Sequence, residues 1–329
     1  MWHSIVGCLV IVALSLLMVP RATNAQQPVK VARIGILGMG PYPSEAQEQQ
    51  SPFWQKLREL GWQEGHNIAV ERRFAEGKLD RLPDLAADLV RLKPDVIVTA
   101  NAAAVLAAKQ ATTTIPIVMI AGQIVEQGIV ASLAHPGGNI TGVEGTIFGL
   151  SAKRLEILKE AMPQAARVAF LFNPTNPWAH FDLAEVETAA RALGLQLQRV
   201  EVRPPDEFDA AFAAIAASRP DALFVAGDAT FAPYRQQIMD LAATHRLPTM
   251  SGDRAWAVVG SLIAYGFSTR ELAQRQAIYV DKILKGARPG DLPIERPMTF
   301  ELVLNLKTAK ALGITMPPSL LLLADEVIQ

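Results

Sequence analysis

The sequence predicts an α/β protein of two similar, doubly wound parallel-sheet lobes joined by a multi-strand hinge. Three features carry that expectation. From Arg33 onward, short apolar runs alternate with amphipathic helical stretches. Hairpin turns between the strand runs are missing, so the strands run parallel, with helices covering both faces. The second half of the chain then repeats landmarks of the first in the same order.

Taken in turn, RIGIL (33–37) reads as a buried strand, and FWQKLRELG (53–61) as the end of a helix stopped by glycine. NIAVERRF (67–74) alternates its faces as a second strand. RLPDLAADLVRLKPD places Leu82, Leu85, Ala86, Leu89 and Val90 on one helical stripe. Strand VIVTA (96–100), helix AAVLAAKQAT and strand IPIVMIA (115–121) follow. In SLAHPGGNITGV (132–143) and the residues just before it, EQGIVASLAH reads as a helix stopped at Pro136-Gly137-Gly138. NITGVEG then begins an extended segment. These glycines turn the chain toward a crossover rather than cradle a phosphate, because a phosphate loop follows a strand and opens into a helix.

The repeat is read from four pairs. ARVAFLFN (166–173) echoes ARIGILGM (32–39), and ARALGLQLQRVEV echoes LRELGWQEGHNIAV, with Gly194 against Gly61. RPDALFVAGD echoes KPDVIVTAN, with Pro220 against Pro94, and HRLPTM echoes TTIPIV, with Pro248 against Pro116. All four lie roughly 130 residues apart. From about Leu262 the chain holds too few segments for a third lobe. Ser268 caps an amphipathic helix, FELVLNLKTAKALG is a strand running into a helix, and PPSLLLLADEVIQ is a short final helix. The expected lobes are 29–144 with about 267–297, and 145–266 with about 298–329. Gly142 to Phe148 is the expected first connection, and Ala264 to Phe267 the return.

At 329 residues, 50% hydrophobic and 19% charged, the chain has material for two cores. Its formal net charge of -1 gives no reason to expect nucleic acid or an anionic membrane surface as partner. Residues 1–25 read as a secretory signal: an apolar run from Ile5 to Val19, then Pro20, then small residues up to Ala25. The other reading is a retained anchor, for which the run is short. The one cysteine, Cys8, precedes the apolar core, so it is not a lipidation site. A chain cleaved near Ala25 has no thiol for catalysis, disulfides or metal.

Ligands of doubly wound sheets sit at the carboxyl ends of the strands. The first-lobe candidates there surround Met39, Asn101, Ala102 and Gln123. Those of the second surround Asn173, Thr175, Asn176, Asp228, Thr230 and Arg254, with Tyr265 on the return segment. Asp228 reads equally as a carboxylate for a ligand ammonium and as a helix N-cap. Asn101 and Thr175 carry the same capping alternative. Trp178 either walls a pocket or packs at the cleft mouth. GILGMG is not GxGxxG, and no GxxxxGK[ST], GxSxG or HExxH occurs. His66, His135, His180 and His245 lack paired spacing. No catalytic residue, metal or cofactor is therefore expected.

Six stretches resemble one family, the periplasmic substrate-binding proteins of ABC transporters with type I lobes, in the subgroup of tryptophan/tyrosine-type components. They are LRELGWQEGHNIAVERRFAEGKLDRLPDLAADLVRLKPDVIV, AAKQATTTIPIVM, GIVASLAHPGGNITGV, SAKRLEILKEAMP, YVDKILKGARPGDLPIERP and FELVLNLKTAKALGITMPPSLLLLADEVI. The resemblance implies a clamshell that closes on a small solute and hands it to an inner-membrane permease. By matching position it implies contacts from Asn101, Ala102 and Gln123, and from Asn173, Thr175, Asp228 and Thr230, with Arg254 nearby. Two loops depart from the family pattern: TANAAAV replaces a Gly/Thr-rich turn, and GQIVEQ replaces Asp-Pro. With Gln123 in place of that acid, a neutral or purely anionic solute, such as an aromatic carboxylate, competes with an amino acid. A sensory receptor on the same fold is the second class. A racemase is the third, and it would require two facing bases, commonly cysteines.

Overall fold

The computed structural model describes residues 31–145, 149–176, 179–296 and 299–329. Residues 1–25, read above as a signal, Trp178 and the last three residues of the expected first connection (146–148) lie outside them. Five strands, β1 (Ala32–Gly38), β2 (Ile68–Phe74), β3 (Val96–Ala100), β4 (Ile117–Ala121) and β5 (Ile140–Glu144), form an all-parallel sheet ordered β2-β1-β3-β4-β5. Seven more form the second: β6 (Arg167–Phe172), β7 (Gln196–Glu201), β8 (Ala222–Val225), β9 (Thr249–Ser251), β10 (Ile263–Phe267), β11 (Phe300–Asn305) and β12 (Glu326–Ile328). Their order, β12-β11-β10-β9-β8-β6-β7, repeats the first sheet and adds two strands. Among the described residues, only the β10–β11 pair runs antiparallel.

The helices, in chain order, are α1 (Glu45–Gln50), α2 (Pro52–Glu59), α3 (Leu82–Arg91), α4 (Ala102–Ala111), α5 (Leu150–Ala161), α6 (Ala179–Ala192), α7 (Phe208–Ser218), α8 (Arg235–Thr244), α9 (Arg254–Val258), α10 (Thr269–Leu284), α11 (Leu306–Leu312) and α12 (Pro318–Leu323). One face of the first sheet packs Leu37, Ile97 and Met119 against Leu82, Leu89 and Val105 of α3 and α4. The other packs Ile34, Val98 and Val118 against Leu57 of α2 and Val280 and Ile283 of α10. Fully burying each such side chain stabilises by about 1.5–3 kcal/mol. α10 comes from late in the chain and is pinned by polar contacts too. Gln276 Nε2 donates to the carbonyls of Thr99 (2.8 Å) and Val118 (3.1 Å), and Trp62 Nε1 donates to Asp281 (2.8 Å).

The repeat holds down to single hydrogen bonds. Lys93 and Arg219, each preceding a proline, both sit at φ +50°. The next acid in each copy caps the start of the neighbouring strand: Asp95 accepts from Arg33 N, and Asp221 from Ala166 N and Arg167 N, all at 2.8 Å. The Arg33 and Arg167 guanidiniums reach back to the carbonyls of Leu92 (2.5 Å) and Ser218 (3.1 Å).

Three expectations are corrected. EQGIVASLAH is not a helix. One turn closes from Gln127 N to Gln123 O, and Gly128 then takes φ +64° and ends it. Lys109 Nζ binds the freed carbonyls of Gly128 and Ile129, while Ile129 and Val130 drop into the first core. Gly142 is not a connector residue but part of β5. At φ +139° it presses so closely on the next strand that a Cβ would lie 2.1 Å from the Met119 carbonyl oxygen. Finally, PPSLLLLADEVIQ is a helix followed by an edge strand, because Asp325 accepts from Leu302 N (2.8 Å) and starts β12 beside β11.

Candidate functional site

Strand ends of both sheets line one cavity of about 460 Å³, a volume suited to a small organic solute. Eight of the expected residues are on its wall: Met39, Asn101, Ala102, Gln123, Asn173, Asn176, Asp228 and Thr230. Thr175, Arg254 and Tyr265 are not. The Thr175 hydroxyl is turned back onto Asn173 Oδ1 (2.8 Å), and Arg254 pairs outward with Glu326 at 2.6 and 2.8 Å. Tyr265 packs among apolar side chains and stacks on Phe300 (5.8 Å).

The first-lobe wall is uncharged, made by Met39, Leu79, Leu106 and the amides of Asn101, Gln123 and Gln127. Asn101 caps α4 by accepting from Ala104 N (3.0 Å). It does so at φ +67°, and Gln123 sits at φ +55°. Two side-chain residues are thus held in sparsely populated backbone conformations at the cavity, where such strain tends to concentrate.

The second-lobe wall is charged. Asp228 does serve as a cap: its Oδ1 accepts from Thr230 N (2.8 Å) and Thr230 Oγ1 (2.7 Å) at the start of a 3-10 turn, Ala229–Tyr234. Its Oδ2 accepts from Asn176 Nδ2 (2.9 Å), and Thr230 Oγ1 also accepts from Asn173 Nδ2 (3.0 Å). A carboxylate offers about four acceptor positions, so the capping role leaves Asp228 room for a ligand donor.

Sequence reasoning missed the centre of this wall, Arg154. It lies on the buried stripe of α5 with Leu150, Ser151, Leu155 and Leu158, and a basic residue on an apolar stripe was the available signal. Its Nε donates to the Tyr265 carbonyl (2.7 Å) and its Nη2 to that of Gly252 (3.3 Å). Burial pulls the guanidinium below its ordinary value, while Asp182, Asp253 and Glu185 oppose that shift. In turn, burial pushes the Asp182 carboxyl up, against the hydrogen bond from Ser151 and the attraction of Arg154. Glu185 accepts from Gly149 N (3.0 Å) and Ala152 N (2.8 Å), capping a helix whose own N-cap is glycine. Aromatic surface comes from Phe172, Trp256 and Phe267. The Tyr234 hydroxyl lies 3.7 Å from where a Cβ on Gly77 would sit, so the two lobes approach each other there.

Two similar α/β lobes with a mixed aromatic and polar cavity between their strand ends define the two-lobed solute-binding class. Within that class, the chain belongs to the ABC transporter substrate binding protein family, whose model matches residues 43–328. Such proteins capture small solutes for ABC transporter permeases, generally outside the cytoplasm, and are not enzymes. The chain is 24% identical to a tyrosine-binding protein of Clostridioides difficile (strain R20291), over 86% of this chain and 81% of that protein. Among solved structures it resembles a conserved domain protein from Vibrio cholerae (26% identity, TM-score 0.82, covering 91% of this chain and 100% of that one). It likewise resembles an ABC domain in complex with L-Trp from Streptococcus pneumonia (25% identity, TM-score 0.81, covering 90% and 99%). Among the described residues no helix is long and apolar enough to cross a membrane.

Proposed function

We propose that this chain is the extracytoplasmic capture component of an ABC importer. It takes a small organic solute, an amino acid or an aromatic or other carboxylate, between its lobes and delivers it to an inner-membrane permease. The cavity carries the reading. Phe172, Trp256 and Phe267 offer an apolar wall for the body of the solute, and the acid-rich second-lobe face offers acceptors for an ammonium group. The tyrosine-binding relative and the neighbour holding L-Trp support an aromatic amino acid in particular.

In this reading residues 1–25 are an export signal removed before the protein works in the periplasm. The lobes, 29–144 with about 267–297 and 145–266 with about 298–329, are the two moving bodies. The test is a thermal-shift screen of the cleaved chain against amino acids and aromatic acids. A solute that binds only the folded state raises the melting temperature, by about 2.7 kcal/mol of added stability at a hundredfold excess over Kd. A rise with L-tyrosine or L-tryptophan is expected. No shift with any member of the panel would overturn the assignment.

A further inference from the structure

Two guanidiniums line the cavity, and they differ in one respect. Arg154 donates to two backbone carbonyls, those of Tyr265 and Gly252. Arg235, the first residue of α8, makes no hydrogen bond and no ion pair among the described residues. Its guanidinium rests against the Trp256 ring, 5.7 Å from the centroid, and its Nε is buried without an acceptor. A cation–π contact orients a guanidinium but accepts none of its N–H groups. Leaving a charged donor unmet away from water is costly, so the buried Nε edge of this half-buried arginine favours an acceptor that arrives with the ligand. Asp228 lies at the other end of the 3-10 turn that leads into α8, so opposite charges flank one short segment of the wall. Across the cleft, Gln127 commits its Nε2 to the Gly122 carbonyl (2.9 Å), and its Oε1 is likewise buried without a donor.

We propose that Arg235, steadied on Trp256, is the residue that binds the solute's carboxylate, and that Gln127 supplies a matching acceptor for its N–H from the first lobe. The inference rests on the solute-capture reading above and narrows it: the ligand is a free α-amino acid with an unmodified carboxylate. Its amide and its decarboxylated amine are rejected. The N-terminus of α4, the other anion-friendly feature of the wall, offers only partial charge. Asn101 already satisfies one of its donors.

Calorimetric titration of the cleaved chain with L-tyrosine, L-tyrosinamide and tyramine, repeated with the L-tryptophan series, tests this on the ligand side without any substitution. The free amino acid should bind more tightly than its amide and its amine by on the order of 10- to 100-fold. In Arg235→Gln, checked for an unchanged melting temperature without ligand, that discrimination should collapse toward unity. Arg235→Lys should keep part of it, because charge remains while the planar fork is lost. Equal binding of acid and amide by the unsubstituted chain would overturn the proposal, as would discrimination that persists in a folded Arg235→Gln. If the unsubstituted chain binds no amino acid of either series, the capture of aromatic amino acids fails first, and this assignment falls with it.

Discussion

Arg154 shows what removing a single buried charge costs the partners it leaves behind. It ties α5, the first helix of the second lobe, to β10 and to the loop after β9. Arg154→Ala would strand two carbonyls and remove the cation that Asp182, Asp253 and Glu185 act on. The expected loss is about 3–5 kcal/mol, read as a lower urea midpoint; an unchanged midpoint would show the guanidinium to be dispensable. Asp228 separates into two measurable roles. Asp228→Ala should weaken solute binding by about 1–3 kcal/mol and, through the lost cap, lower stability by about 0.5–2 kcal/mol. Asp228→Asn should recover most of the stability, because its amide oxygen still accepts from Thr230 N, but not the affinity. Equal affinity for all three proteins would reduce Asp228 to a cap. Its position after ALFVAG was enough to find it. Arg154 and Arg235 were not found because α5 and α8 were never read as cavity walls. Which side chains of a helix face a cleft depends on how two distant sheets meet.

At the scale of elements, the repeat was the most legible feature, because it is written in local chemistry. Each copy needs a residue at positive φ, a proline and an acid to turn a helix into the next strand, and that triplet survives as Lys93-Pro94-Asp95 and Arg219-Pro220-Asp221. Backbone hydrogen bonds from Ala166 and Arg167 hold the Asp221 carboxyl below its ordinary value. A carboxyl lowered in the folded state stabilises above the usual carboxylate range and loses that contribution as pH falls through its folded value. Asp221→Ala should therefore cost about 0.5–2 kcal/mol near neutral pH, with the gap to the unsubstituted protein closing in acid. A gap that stays constant down to pH about 3 would rule out the charged carboxylate as its source. The elements that were misread, EQGIVASLAH and the final strand, are those whose form is set from elsewhere. Gly128 stops the first with help from Lys109, and β12 exists only because β11 offers it an edge.

At the scale of the molecule, the order 2-1-3-4-5 in both sheets follows from alternating strands and helices. The exchange of late segments between lobes does not follow in the same way. α10 returns to the first sheet while β11 and β12 extend the second, so three chain crossings join the lobes, next to Gly145, Ser268 and Arg296. Near them, Arg296 Nε pairs with the buried Glu144 (2.5 Å), and Arg275 links Glu271 (2.8 Å) to Glu295 (2.5 Å). A solute entering this cleft should draw the two lobes together. Small-angle X-ray scattering of the cleaved chain tests it most directly, with and without a saturating amino acid taken from the thermal-shift screen. A smaller radius of gyration is expected when the ligand is bound. Superimposable curves from free protein and a calorimetrically verified complex would contradict it.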